Sequence, residues 1–339
     1  MATSASSPSA SGPAGSYFEG QVGASYMLAL LTGSEPRGLP GTSIVSVQFQ
    51  RAAEGRPLDD VIVHARDVRG DTAILEVQVK RTISFAPADD VFRAVVAQIA
   101  KASQHPDFWA SRYELAIAMA RTSRKIDGAY QDVLTWARQL GDASTFHARM
   151  DRPGSANEDM RTFVRTFRAH LQAAGAPNDE RTVWRLLRRL QILVSDFTAP
   201  GSASEQLAKE RAVRALYVDD GGRAGNLWAV LIEFALRLAA SGGECTRSDL
   251  TEELKRQGFR LAGEHRYAAA RAALAEASRH ALDDIVDQVG GAKLTRHELV
   301  ATIHAALEAN RYIEIRGDAG VGKSALMKHV AEQIAAEAP

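Results

Sequence analysis

A chain of 339 residues has length for two or three domains, and its 45% hydrophobic content is enough for ordinary globular cores. Lysine plus arginine and aspartate plus glutamate number 41 each, so the chain is neutral, which excludes a uniformly basic coat while leaving room for local basic patches. The single cysteine, Cys245, excludes an internal disulfide framework and a cysteine-based zinc site, and no apolar run approaches the ~18 residues of a membrane-spanning helix, so no membrane partner is expected and the cytoplasm is the expected compartment.

Residues 1–16 are rich in Ala, Ser, Pro and Gly, without the basic start and apolar core of a signal peptide, and are expected to be a disordered tail. Residues 17–31 read as a helix, with Phe18, Val22, Tyr26, Ala29 and Leu30 on one face. Residues 43–51 alternate Val45, Val47 and Phe49 as a strand does. Two further strands are expected over 58–64 and 73–82, split by a turn at 69–71, followed by a helix over 88–102 and a buried strand over 113–120. This α-β-β-β-α-β order describes an α/β domain around a small mixed sheet.

Beyond about residue 125 only helical periodicity is legible. Met160, Phe163, Val164, Phe167 and Leu171 mark one helix, Val183, Leu187, Leu190, Val194 and Phe197 a second, and Leu227, Trp228, Leu231, Phe234 and Leu238 a third. Capping boxes are expected at 246–249 and 295–298. Arg181, Arg185, Arg188 and Arg189 form a basic cluster at helical spacing that either tracks nucleic-acid phosphates or is a solvated helix face.

The strand holding Glu76, Gln78 and Lys80 is where chemistry is expected. Period-two geometry sends Leu75, Val77 and Val79 to one face and these three polar side chains to the other. Asp60, at the start of the preceding strand, is placed to meet that polar face. An acid on one strand, with an amide and a lysine two residues apart on the next, is the layout of a metal-dependent phosphodiesterase. Asp60 offers Mg²⁺ a hard oxygen, Gln78 a neutral one and the Val79 carbonyl a third, while Lys80 orients or helps deprotonate water and offsets phosphate charge. The plainer reading pairs Lys80 with Glu76 on a half-exposed strand and makes Asp59 a solvated or capping acid.

These residues, together with Gly20-Gln21 and Tyr26 in the first helix and the run 58–62, resemble the PD-(D/E)xK nuclease superfamily in its Mrr-like QxK variant, of the CD-NTase-associated DNA endonuclease type. The resemblance implies a restriction-endonuclease-like domain over 17–150 that cuts double-stranded DNA with Mg²⁺ in bacterial antiviral defence. It maps a first-helix acid onto Glu19. The second acid is then Glu19 or Glu76, and Gln98 is a further residue able to face the site.

Near the C-terminus Gly317, Gly320, Gly322, Lys323 and Ser324 fit the P-loop pattern G-x-x-x-x-G-K-[ST], with an expected strand over 312–316 before it and a helix over 325–336 after it. Such a loop cradles the phosphates of ATP, Lys323 reaching the β/γ oxygens and Ser324 the Mg²⁺. Only fifteen residues follow Ser324, so the expected organisation is the nuclease domain, an all-α connector over 151–290, and the first β-P-loop-α unit of an NTPase over 291–339. ATP is expected to bind only with a complete NTPase domain. The order resembles that of antiviral STAND NTPases, in which oligomerisation of the chain activates the nuclease. The alternative is a nucleotide-switched DNA-binding or docking module without cleavage.

Overall fold

The computed structural model describes residues 12–197, 199–262, 268–293, 296–310 and 312–337. The chain divides into two compact units, one ending at Arg266 and one beginning at Tyr267. The expected tail lies outside the described residues up to residue 11. Residues 12–16, however, already belong to the first helix, α1 (Gly12–Thr32). Distant residues support these early turns: Phe18 packs on Phe197, whose ring in turn meets Trp228.

The first unit continues with strands β1 (Thr42–Gln48), β2 (Val61–Asp67) and β3 (Thr72–Lys80), helices α2 (Asp90–Ala102) and α3 (Asp107–Ala110), and strand β4 (Arg112–Met119). Helices α4 (Gln131–Gln139), α5 (Ala143–Asp151), α6 (Glu158–Ala173) and α7 (Glu180–Arg189) follow, then strand β5 (Leu190–Val194). Helices α8 (Ala203–Ala215) and α9 (Ala224–Ser241), strand β6 (Glu244–Thr246) and helix α10 (Arg247–Arg256) complete it.

The six strands form one mixed sheet in the order β5-β4-β3-β2-β1-β6. The pairs β1–β2, β2–β3 and β1–β6 are antiparallel, whereas β3–β4 and β4–β5 are parallel. An α/β architecture is therefore present, but the all-α connector is not. Two of its segments are the edge strands of the sheet. Leu190 and Val194, expected on the helix of Val183 and Leu187, lie instead on β5, where Leu190 pairs with Leu115 and Val194 with Met119. Cys245, in the middle of β6, pairs with Val47.

Each face of the sheet carries its own core. On one side Val61, Val63, Val77 and Val79 pack with α1, α8, α9 and α10. On the other, Ile62, Ile74, Leu115 and Ile117 pack with α2 and α4–α7. Helix α1 is buried nearly all round, Met27, Leu28, Ala29, Leu30 and Leu31 alike, and not along a single stripe, because it is enclosed between the sheet and α8–α10. Gly20 and Gly23 make that enclosure possible. A Cβ on Gly20 would meet Leu236 of α9 at 2.8 Å, and one on Gly23 would meet Phe49 at 2.7 Å. The stretch Val218–Ser241 is apolar and long enough to cross a membrane by length and composition. Its Leu227, Trp228, Leu231, Ile232 and Ala235 are buried in the core instead.

The second unit holds α11 (Ala268–Asp283), a hairpin of β7 (Gln288–Val289) and β8 (Ala292–Lys293), α12 (His297–Ala309) and α13 (Lys323–Glu337). Val300, Leu326 and Val330 form its small core. The helix after the P-loop is present. The strand expected over 312–316 is not, since these residues have no described sheet neighbour to satisfy their backbone groups. Of the two capping boxes, that of Thr246 and Asp249 is formed, while Thr295 lies outside the described residues.

Candidate active site

Strand β3 runs through the middle of the sheet, buried from Ala73 to Val79. Its alternation is as expected: Leu75, Val77 and Val79 enter the α1 face, and Glu76, Gln78 and Lys80 the face covered by α2. Val61 pairs with Val77, which carries Asp60, one residue earlier, to the level of Gln78.

Four groups gather on the Asp60 carboxylate. The Val79 N–H donates to Oδ2 at 2.7 Å, the Gln78 amide donates to the same oxygen, the Gln50 amide reaches Oδ1 at 3.4 Å, and the Lys80 ammonium lies 3.7 Å from Oδ2. In an extended strand the N–H and C=O of one residue face the same neighbour, so the Val79 carbonyl also faces the Asp59–Asp60 segment. Gln78 gives its N–H to Asp60, which leaves its Oε1 buried without a hydrogen-bond partner. An orphaned buried acceptor costs about 1–3 kcal/mol unless something supplies positive charge or a donor.

Burial raises the Asp60 carboxyl above the ordinary carboxylate range, against the opposing pull of Lys80, the Val79 N–H and Gln50. Its neighbour Asp59 is buried too and accepts from the Ala52 N–H at 3.2 Å. Its carboxyl is pushed up to about 6, first by burial and then by the charge of Asp60. Asp59 therefore caps the turn after β1, as one reading of the sequence allowed, but it is not solvated, and Lys80 acts electrostatically on both acids. Two adjacent buried carboxylates beside one lysine favour an added cation.

Gln50 is a site residue that periodicity gave no means of finding. It has φ 52°, a left-handed conformation that is uncommon for a non-glycine residue, and its N–H donates to the Asp59 carbonyl at 2.6 Å. This strained residue places its amide against Asp60.

The structure separates Glu76 from the other two polar residues of β3. Glu76 is fully buried and accepts from the Tyr113 hydroxyl and from the Leu58 N–H at 3.3 Å, with Arg56 at 3.6 Å. Its carboxyl is raised to about 6, mainly by burial. It anchors the segment before β2 to β3 and β4, so the surface pair with Lys80 does not exist. Glu19 is half-buried on α1, which packs on the opposite face of the sheet. Gln98 is half-buried on α2, on the Gln78 face.

In the second unit Gly320 and Gly322 adopt φ 80° and 81°, left-handed values that open the P-loop backbone. Lys323 donates to the carbonyls of Gly317 and Asp318, at 2.8 Å each. Ser324 follows in the first turn of α13. Gly320 and Gly322 border a cavity of about 220 Å³ with Asp287, Arg296 and His329.

No family model matches this chain, and no curated protein matches its sequence. Among the described residues no three His, Cys, Asp or Glu side chains gather as ligands. The donors on β3 and before β2 are carboxylates, an amide oxygen and a backbone carbonyl, a hard-oxygen set of the kind Mg²⁺ accepts with water completing its shell.

Proposed function

We propose that the first unit is a Mg²⁺-dependent hydrolase of DNA phosphodiesters, in the manner of the QxK restriction-like nucleases that residues 17–120 resemble. The observation that carries this reading is the unpartnered Gln78 Oε1, buried beside Asp60 with Lys80 at the same carboxylate. Asp60, Gln78 Oε1 and the Val79 carbonyl would hold the metal, with Asp59 as the further acid. The ion would supply charge neutralisation at the scissile phosphate and a lowered pKa for water.

The remaining chemistry belongs to side chains. The Lys80 side chain is 29% exposed, so its ammonium reaches solvent while facing Asp60. From there it can hold the attacking water by its lone pair or donate to a non-bridging phosphate oxygen as charge builds. The Val79 N–H and the Gln50 amide hold the Asp60 carboxylate in one orientation, which limits reorganisation during the reaction. Burial of Glu76 and its partners fixes β3 against β2. Water attacks phosphorus, the P–O ester bond breaks, and the departing oxygen takes up a proton.

Supercoiled plasmid incubated with the chain and Mg²⁺ tests the proposal. Nicking should depend on the metal and fall at least about a hundredfold in Lys80→Ala and Asp60→Asn. Undiminished nicking in both variants overturns it. DNA binding without cleavage under any metal would instead favour the docking-module reading. For that reading the ordered P-loop is the supporting observation, with Lys323 folded over its own carbonyls, and nucleotide-dependent DNA binding is its signature. The resemblance adds a defence role, in which oligomerisation brings two sites onto double-stranded DNA.

A further inference from the structure

A second charged feature lies at the far end of the sheet. Arg112 opens β4 opposite Ala73, whereas Lys80 is level with Met119. Seven residues of strand separate the two levels, about 23 Å. At the Arg112 end is a cleft of about 600 Å³ between the start of β4, the end of α4 and helix α7. Six arginines line it: Arg112, Arg138, Arg181, Arg185, Arg188 and Arg189. Among the described residues that line it Glu114 is the one acid, and among the described salt bridges none involves any of the six arginines.

Their positions are fixed without neutralising them. Arg112 donates to the Pro40 carbonyl at 2.9 Å, Arg138 to Leu190 at 2.7 Å, and Arg189 to Tyr113 at 3.0 Å. The Arg185 guanidinium carbon lies over the Trp109 ring, 3.6 Å from its centroid, and that of Arg188 lies over Trp184. Burial lowers the Arg189 guanidinium, against the pull of Glu114 and with the help of Arg185 and Arg188, so the single acid does not offset the cluster. So many unpaired like charges around one concavity repel one another, and a chain of anions is what relieves that repulsion.

The spacing identifies which anion. Arg181, Arg185 and Arg188 occupy successive turns along one side of α7, about 6 Å and then about 4.5 Å apart in rise. That row is longer than a compact triphosphate and suits the successive phosphates of a polynucleotide strand. Trp109, 39% exposed, carries the Arg185 guanidinium as a planar platform, and nucleic-acid bases stack on such planes. A duplex keeps its base faces within its own stack; a single strand can present one.

We propose that this cleft binds single-stranded nucleic acid, with its phosphates along Arg181, Arg185 and Arg188 and a base on the Arg185–Trp109 stack. The site is separate from Asp60, Gln78 and Lys80, and its occupancy does not depend on cleavage.

The test uses the full chain in chelator, so that hydrolysis cannot contribute. The probe is a fluorescent oligo(dT) of roughly 10 nucleotides, followed by anisotropy across a salt series. Arg185→Glu with Arg188→Glu should weaken binding at least about tenfold and reduce the salt slope by about 1 to 1.5. Trp109→Leu should weaken it about fivefold or more with the slope unchanged. Removing like charge should not impair folding, which the melting temperature will show. Should the double variant nonetheless unfold, Arg181→Gln, on an exposed side chain, should still weaken binding measurably. Native affinity in folded variants overturns the proposal. So does preference for a duplex of the same length, or displacement of the oligonucleotide by ATP at equal phosphate concentration. Loss of plasmid nicking with oligo(dT) binding intact would count against the hydrolase alone.

Discussion

Gln78 and Glu76 are two residues apart on one face of one strand, yet their surroundings give them opposite roles. Glu76 has partners for both oxygens, whereas Gln78 has none for its oxygen. Replacing Gln78 by Glu would place a third carboxylate beside Asp59 and Asp60. Q78E should therefore melt below the native chain in chelator, and Mg²⁺ should raise its melting temperature more than it raises the native one. Equal responses to Mg²⁺ would remove Gln78 from the metal site. Glu76 has a pH signature of its own. Its folded pKa of about 6 lies above the unfolded value of ~4.3, so its contribution to stability is full below pH ~4.3 and is lost as pH rises through 6. E76Q does not titrate; it keeps its one oxygen for the Leu58 N–H and turns its amide N–H toward the Tyr113 hydroxyl, which can accept. Relative to the native chain it should gain about 1–2 kcal/mol between about pH 4.5 and 7.5, read from denaturant midpoints. Cys245 is fully buried with its thiol pushed up to about 12 by burial, reinforced by Asp249 and Glu244. At about pH 8 it should resist thiol reagents until the protein unfolds.

At the level of elements, the central part of the fold was legible and the edges were not. Strand β3 announces itself because strict alternation separates valines from polar residues, and with it come Asp60, Gln78 and Lys80. Strand β5 does not, because Val183, Leu187, Leu190 and Val194 sustain helical spacing across the junction and no Gly or Pro marks the end of α7. Parallel pairing with β4 makes that decision, and pairing is a tertiary fact. Strand β6 has three residues, too few for periodicity. Gln50 reaches the site through backbone strain, which composition does not encode. Glycines in α1 show the same limit: Gly20 entered only through a resemblance and Gly23 not at all, whereas their physical role is the close approach of α9 and Phe49. Gly23→Val should lower the melting temperature by several degrees, about 1–3 kcal/mol of overpacking. An unchanged melting temperature would mean that α1 and α9 are looser than described.

For the whole molecule, the division after Arg266 places all of the sheet and both of its cores in the first unit. Residues 1–266 alone should unfold cooperatively and retain whatever Mg²⁺-dependent nicking the full chain has. A fragment that folds but does not nick would assign an essential part of the activity to the second unit. The sheet itself has a consequence for synthesis. Its central strands are made first, and its two edges, β5 and β6, come from residues 190–194 and 244–246. Until those emerge from the ribosome, β1 and β4 present open hydrogen-bonding edges, and α1 lacks the helix that covers it. Unpaired edges invite association with other chains, and pairings this distant in sequence form slowly. The nascent chain thus passes through a long interval in which Asp60, Gln78 and Lys80 exist but the scaffold that aligns them does not. A DNA-cutting activity with this topology would remain latent until residues 244–246 had been made and paired with β1.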